Sequence, residues 1–241
     1  MKLIITNSYE ESCKYVAQEM VSLVNANPVA KLGLATGGTA EQVYPHLVKA
    51  YQDGKVDFSN VTTVNLDEYL GMSPDNPVSY RKCMDNWFFD HVNIKKENTY
   101  VASGLNDPQA EIKTFNQKLY GDKLLDFQLL GVGVSGHIGF NEPSAVLTAG
   151  VHIEELDEST IQANSRYFDS PADVPTKSIT MGAVSYTHLD VYKRQTYVFD
   201  GAGWGHQLGM SQFGANAMAR EGFDYDEILK FYFPGVQVDA Y

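Results

Sequence analysis

The chain has 241 residues, of which 44% are hydrophobic and 20% charged, with 20 Gly and 9 Pro. This composition excludes a disordered or fibrous protein, and the length suffices for an α/β domain with a sizeable core. The 18 Lys and Arg against 30 Asp and Glu give a formal net charge of −12, which argues against a protein that binds the nucleic-acid backbone.

Strand and helix signals alternate over the first part of the chain. Residues 3–5 and 32–35 are short apolar runs, which predict buried strands. Between them, Ser8 and Glu11 have the spacing of a capping box, which predicts a helix that continues through Leu23. A second helix is predicted after residue 39, and it ends near the Asp-Gly pair at 53–54.

Further strands are predicted at residues 61–66 and 127–132, and helices at 79–91 and after the Asp-Pro pair at 107–108. Apolar strands separated by helices predict an α/β fold in which a mostly parallel sheet is covered by helices on both faces. Ligands of such folds bind at the carboxyl ends of the strands. The polar residues that follow these strands are therefore the candidates for a site.

The segment Thr36-Gly37-Gly38-Thr39 lies between a predicted strand and a predicted helix. Glycines allow the backbone to approach an anion, and the N-terminus of a helix offers free N–H groups. The segment has neither the Walker spacing nor the G-x-G-x-x-G spacing, so a nucleotide is not indicated. An anion-binding loop and an ordinary turn capped by threonine remain equal alternatives on this segment alone.

Two other strand ends offer acid–base chemistry. Asp67-Glu68 provides a carboxylate base, although such a pair is more often a helix-terminal or loop acid. His137 lies among glycines, which leaves its ring accessible, and Glu142 is placed to orient the imidazole and raise its pKa; a structural histidine is the alternative. Arg166 suits a phosphate or carboxylate, or lies at the surface.

Four segments in this order resemble the glucosamine-6-phosphate deaminases: residues 32–39 (LGLATGGT), 65–69 (NLDEY), 136–143 (GHIGFNEP) and 163–168 (ANSRYF). The resemblance extends over residues 1–183. The 6-phosphogluconolactonases share the sheet and a Gly-His element, but the Phe-Asn-Glu-Pro and Asp-Glu-Tyr elements favour a deaminase. A lactonase-like sugar-phosphate hydrolase is the alternative.

The resemblance implies conversion of glucosamine 6-phosphate to fructose 6-phosphate and ammonia, an isomerisation coupled to deamination, with no metal or organic cofactor. It implies that Asp67 is the base that moves a proton from C2 to C1, and that His137 with Glu142 assists opening of the pyranose ring. The residues that it implies for the substrate phosphate are Gly37, Gly38, Thr39 and Arg166.

One position departs from the family pattern. Ser135 stands two residues before the histidine, where the family has Asp or Asn, and it joins the implied catalytic group. A hydroxyl hydrogen-bonds to an imidazole but carries no charge. We therefore expect weaker support for the ring of His137 than in other members of the family.

The composition changes near residue 184. Residues 184–241 hold 12 of the 29 aromatic residues, whereas residues 1–183 hold the other 17. Residues 184–195 (VSYTHLDVYKRQ) resemble a translated sequencing adapter, with an amphipathic linker as the alternative. Much of the remainder resembles the C-terminal end of stage II sporulation protein D type peptidoglycan-processing domains. We expect an incomplete deaminase-like domain over 1–183, an artefactual linker over 184–195 and an unrelated fragment over 196–241. A chimeric product without function is a further alternative.

Location and partners are also predicted. The N-terminal sequence turns polar too early for a signal peptide, and no apolar run reaches membrane-spanning length. Cys13 and Cys83 make no disulfide framework, and the histidines lack metal-ligand spacing. We expect a cytoplasmic protein that binds a small sugar phosphate and neither nucleic acid nor membrane. The oligomeric state is not predicted.

Overall fold

The computed structural model describes residues 4–132, 137–142, 148–182, 185, 218 and 227, with only the backbone described for Thr39. The predictions that concern Leu3 and Ser135 lie outside these residues. The predicted segments 184–195 and 196–241 also lie outside them, apart from the single residues 185, 218 and 227.

The described residues form seven strands and six α-helices. The strands are β1 (Lys31–Leu34), β2 (Thr62–Asn65), β3 (Asp67–Tyr69), β4 (Thr99–Tyr100), β5 (Phe127–Gln128), β6 (His152–Glu155) and β7 (Lys177–Thr180). The helices are α1 (Tyr9–Ala26), α2 (Gly38–Glu41), α3 (Tyr44–Gln52), α4 (Tyr80–Trp87), α5 (Pro108–Tyr120) and α6 (Glu158–Asn164). Short 3₁₀ turns at Phe89–His91, Lys96–Asn98, Ser165–Tyr167 and Pro171–Asp173 complete the set.

The first sheet is parallel and has the order β4-β2-β1-β5. Consecutive residues of β4 contact helices on opposite faces, as the alternation of side chains along a strand requires. Thr99 accepts a hydrogen bond of 2.8 Å from Arg81 of α4, whereas the Tyr100 hydroxyl donates one of 2.6 Å to Glu111 of α5. The predicted mostly parallel sheet with helices on both faces is confirmed.

The second sheet is antiparallel, has the order β3-β7-β6 and was not predicted. The chain crosses from one sheet to the other at Leu66. Its N–H donates to the Leu34 carbonyl of the first sheet (2.9 Å), and its carbonyl accepts from the Met181 N–H just beyond β7 (2.9 Å). Asp67 and Glu68 therefore lie in β3 rather than in a loop that follows the predicted strand.

The start of the chain differs in part from the prediction. Ile4 and Ile5 form no strand, and Ile5 is 86% exposed. A short apolar run becomes a strand only where a neighbouring strand pairs with it, and sequence alone does not reveal that partner. The capping prediction is confirmed, because the Ser8 hydroxyl accepts from the Glu11 N–H (3.2 Å) at the start of α1. Within the described ranges, no helix is long and apolar enough to cross a membrane.

Candidate active site

Asp67 begins β3 and is 5% exposed. It lies opposite Thr180 in the antiparallel register, so these two side chains share one face of the second sheet. The Phe140 N–H hydrogen-bonds to the Asp67 carboxylate. Gly139 packs against the same group, because a Cβ placed on Gly139 would lie 3.2 Å from Asp67 Oδ2 and 3.1 Å from Thr180 Oγ1. We call Gly139, Phe140 and Thr180 the carboxylate seat.

The surroundings of Asp67 change its proton affinity. Burial raises its pKa to about 8, the neighbouring Glu68 adds to that rise, and the Phe140 N–H opposes it. A carboxyl group that exchanges its proton just above neutrality suits reversible proton transfer better than an ordinary carboxylate does. Asp67 therefore remains the candidate for the predicted general base.

Glu68 has different contacts from its neighbour. Its carboxylate accepts hydrogen bonds from the backbone N–H groups of Tyr69 (2.9 Å), Tyr80 (3.0 Å) and Arg81 (3.0 Å). The last two belong to the first turn of α4. Burial raises the pKa of Glu68 to about 7, and the three N–H groups oppose that rise. Glu68 is thus the helix-terminal acid that was one of the two alternatives from the sequence, and its hydrogen bonds connect α4 to β3.

His137 and Glu142 lie close together, with 3.8 Å between His137 Nδ1 and Glu142 Oε2. Glu142 is held in turn by the Asp157 N–H, which donates to its Oε1 (3.3 Å). Burial lowers the pKa of His137, and the Asp157 carboxylate opposes that change. The prediction of a raised pKa for His137 is wrong, because burial of the ring lowers it. Burial also raises the pKa of Glu142. The imidazole is therefore favoured in its neutral form, which accepts a proton.

The candidate phosphate-binding residues also meet in space. Gly37 has a φ of 101°, a conformation that favours glycine, and it precedes α2. A Cβ on Gly38 would lie 3.7 Å from Arg166 Nη2 and 3.3 Å from the Tyr167 hydroxyl, so the predicted pair of Gly38 and Arg166 is brought together. Arg166 is exposed, and its guanidinium lies over the Tyr167 ring at 4.7 Å.

Both halves of the site lie at the carboxyl ends of β1 and β2. Leu34 and Asn65 pair at the ends of these strands, so the loop at 36–39 and Asp67 begin at the same edge of the sheet. The rings of Tyr69 and Phe168 meet edge to face at 5.8 Å and connect β3 to the segment that carries Arg166. The phosphate-binding candidates and the candidate base therefore belong to one site.

The sequence profile of the family described as glucosamine-6-phosphate isomerases/6-phosphogluconolactonase matches residues 6–145, more than half of the chain. This chain belongs to that family. The glucosamine-6-phosphate deaminase of Clostridium perfringens (strain 13 / Type A) is 49% identical over 183 residues, which cover 76% of each chain. The glucosamine-6-phosphate deaminase of Thermoanaerobacter sp. (strain X514) is 46% identical over 183 residues, which cover 76% of this chain and 72% of that one.

Solved structures of the family agree with the fold. A monomeric glucosamine-6-phosphate deaminase superimposes with a TM-score of 0.74 at 41% identity, over 77% of each chain. The 6-phosphogluconolactonase of Thermotoga maritima has a TM-score of 0.57 at 15% identity over 75% of each chain, and it shares the fold alone. The predicted fold class is confirmed, as is the resemblance to the deaminases over about 183 residues.

Sequence reasoning missed several residues of this family site. Thr180 and Asp157 reach it only through the second sheet and the segment after β6, and no local pattern marks them. Tyr167 lies within the segment 163–168 that carries the resemblance, but it was not named as a site residue. Gly139 offered a weak signal, because a glycine inside the GHIGFNEP motif suggests close backbone approach. The structure explains the need for glycine at this position, because φ is 60° and a Cβ would crowd the Asp67 carboxyl group.

Proposed function

We propose that this chain is a glucosamine-6-phosphate deaminase, which converts glucosamine 6-phosphate and water to fructose 6-phosphate and ammonia. One observation carries the proposal: the buried carboxyl group of Asp67 packs directly against the loop that holds His137 and Glu142. The identity of 49% to a glucosamine-6-phosphate deaminase supports the choice of substrate.

The first step is opening of the pyranose ring. It requires a group that takes the proton of the C1 hydroxyl and delivers a proton to the ring oxygen. A neutral imidazole does both in turn, and burial favours the neutral form of His137. Glu142 lies 3.8 Å from Nδ1 and orients the ring. The product is the open-chain aldehyde with its amino group on C2.

The second step is proton transfer from C2 to C1. Asp67 in its carboxylate form takes the C2 proton while the ammonium group on C2 gives one of its protons to the C1 oxygen, which yields an enolamine. The same carboxyl group then returns its proton to C1. The resulting C2 imine adds water and releases ammonia, so the carbonyl oxygen of fructose 6-phosphate comes from water. A base whose pKa is raised to about 8 is matched to both directions of this transfer.

The phosphate group is assigned to Gly37, Gly38, Thr39 and Arg166. Among the described residues Arg166 forms no ion pair, and its guanidinium lies over the ring of Tyr167 at 4.7 Å. A guanidinium beside a glycine-rich loop suits a phosphate dianion, because two parallel N–H donors match two phosphate oxygens.

The test is release of ammonia from glucosamine 6-phosphate by the purified chain, compared with hydrolysis of 6-phosphogluconolactone. Ammonia release that is lost in Asp67→Asn and retained in Asp122→Asn supports the proposal. Asp122 is an exposed aspartate beyond α5 and serves as the matched control. Lactone hydrolysis without ammonia release would transfer the assignment to the 6-phosphogluconolactonase branch.

We also propose that residues 184–241 have a different origin from residues 1–183. The change in aromatic content supports this division, and so does the extent of the similarity to deaminases, which covers 183 residues. Amplification of source DNA across codons 184–195 is the decisive experiment. A continuous product with uniform read coverage would refute a chimeric junction.

A further inference from the structure

The backbone N–H of Phe140 lies where two strands and the histidine loop meet. It approaches Thr180 Oγ1 at 3.3 Å and hydrogen-bonds to the Asp67 carboxylate. Such a bond favours the charged form of a carboxylate. The position of this single N–H therefore affects both the orientation of the base and its proton affinity.

The side chain of Phe140 is held by other rings. Its ring stacks on Tyr80 at 5.8 Å with an interplanar angle of 3°, and it contacts Tyr69 at 5.1 Å. Tyr69 contacts Tyr80 at 5.0 Å and Phe168 at 5.8 Å. We call Tyr69, Tyr80, Phe140 and Phe168 the aromatic cluster. It is separate from the main core, and Phe140 within it is only 4% exposed.

The aromatic cluster joins the elements that carry the site. Tyr69 belongs to β3, Tyr80 to the first turn of α4, and Phe168 to the segment that follows Arg166. Asn141 provides one more attachment of the loop, because its Nδ2 donates to the Ile138 and Met181 carbonyls at 2.8 Å each. Loss of the Phe140 ring would leave the loop attached on the Asn141 side while its N–H could move away from Asp67.

We propose that Phe140 is a positioning residue, which acts through its backbone N–H on Asp67, and that the Tyr80 ring holds it in place. The inference rests on the proposed function of Asp67 as the base, and it adds the contact that holds the Asp67 carboxylate in position. No contact between Phe140 and the substrate is involved. Phe140 is expected to affect turnover and its pH dependence rather than substrate affinity.

The experiment compares Phe140→Leu with Phe115→Leu. Phe115 is fully buried in α5 and contacts Tyr100 at 5.3 Å, so the same truncation is made in an aromatic pair away from the site. We expect kcat to fall roughly 10- to 100-fold in Phe140→Leu, with KM changed less than about 3-fold. The rising limb of kcat against pH should move to higher pH, because the N–H that opposes protonation of Asp67 is displaced. The other titratable groups that face Asp67 are Glu68, Tyr69 and Tyr80, and both variants retain them.

A second measurement does not depend on activity. Carbon-13 NMR of the aspartate carboxyl groups, with Asp67 assigned by comparison with Asp67→Asn, reports the titration of Asp67 directly. Its midpoint should rise in Phe140→Leu and in Tyr80→Leu, and it should stay unchanged in Phe115→Leu. Tyr80→Phe keeps the stacked ring, so the titration midpoint of Asp67 in this variant should equal that of the original protein.

The outcomes separate the two proposals. Absence of ammonia release by the unmodified chain refutes the proposed function, while the NMR titration still tests the contact between Phe140 and Asp67. The inference is overturned if the unmodified chain is active and Phe140→Leu has the same kcat, pH profile and Asp67 titration as Phe115→Leu. If Phe140→Leu does not fold, Tyr80→Leu decides, and an unshifted Asp67 titration in that variant also overturns it.

Discussion

Replacement of Gly139 by alanine tests whether crowding at the carboxylate seat controls turnover. Gly139 has a φ of 60°, and the added methyl group would lie 3.2 Å from Asp67 Oδ2 and 3.1 Å from Thr180 Oγ1. The backbone conformation alone costs about 1–2 kcal/mol for a residue with a Cβ. The two contacts are tighter than ordinary van der Waals separations, so the carboxyl group must move by a few tenths of an ångström.

Gly54→Ala is the matched control for this variant. Gly54 follows α3 with a φ of 70°, and a Cβ there meets no atom within 4 Å. Gly54→Ala should therefore lose about 1–2 kcal/mol of unfolding free energy in urea titrations, and Gly139→Ala should lose at least as much, because the backbone cost is similar and only Gly139→Ala adds tight contacts. Only Gly139→Ala displaces the base, and a misplacement approaching 1 Å costs up to about 100-fold in rate. We expect kcat for ammonia release to fall at least about 10-fold in Gly139→Ala and to stay within about 2-fold in Gly54→Ala. Equal kcat in the two variants would refute the argument that the seat positions Asp67.

Three further predictions concern the same site. Asp67→Asn should be more stable than the unmodified chain, by an amount that grows as pH rises from about 4 to about 8. The raised pKa of Asp67 contributes stability that is complete below its unfolded value of 3.8 and is lost as pH rises through about 8. Urea titrations at pH 5 and pH 8.5 check this, and a constant difference contradicts it. Arg166→Gln should raise KM for glucosamine 6-phosphate roughly 10- to 100-fold with a smaller change in kcat, since a phosphate contact is used in binding; steady-state kinetics that show the reverse would remove Arg166 from the phosphate site. Ser135→Asp should raise kcat by improving support of His137, and unchanged ammonia release would exclude that role.

Local signals predicted the elements that depend on local interactions. Ser8 and Glu11 identified the start of α1, and the segment at 36–39 was placed directly after β1 because glycines and threonines interrupt an apolar run, although α2 already begins at Gly38. The motif around His137 was predicted to be a site because the glycines were expected to leave the ring accessible; its catalytic role stays a prediction, and the side chain of His137 is only 17% exposed. The start of α1 and the position of the glycine-rich segment depend on a few consecutive residues, so the sequence alone was sufficient for them.

Other features depend on residues that are distant in the sequence. Strand β6 is mostly polar and β7 has Ile179 as its one apolar residue, so neither shows a pattern that predicts a buried strand. Thr180 was therefore missed as the neighbour of Asp67. The direction of the His137 pKa was also predicted wrongly, because it is set by burial, which arises only when the loop packs against the rest of the protein.

Leu66 connects the two sheets through the hydrogen bonds of its backbone. Its N–H is bonded to the parallel sheet and its carbonyl to the residue after β7, and the next residue along the chain is Asp67. A shift of one sheet against the other would therefore change the distance between the base and the loop at 36–39, which belongs to the parallel sheet. Under the proposed function, this distance separates the group that acts on C2 from the groups that bind the phosphate. The two hydrogen bonds of Leu66 would therefore help to fix the position in which the substrate is held.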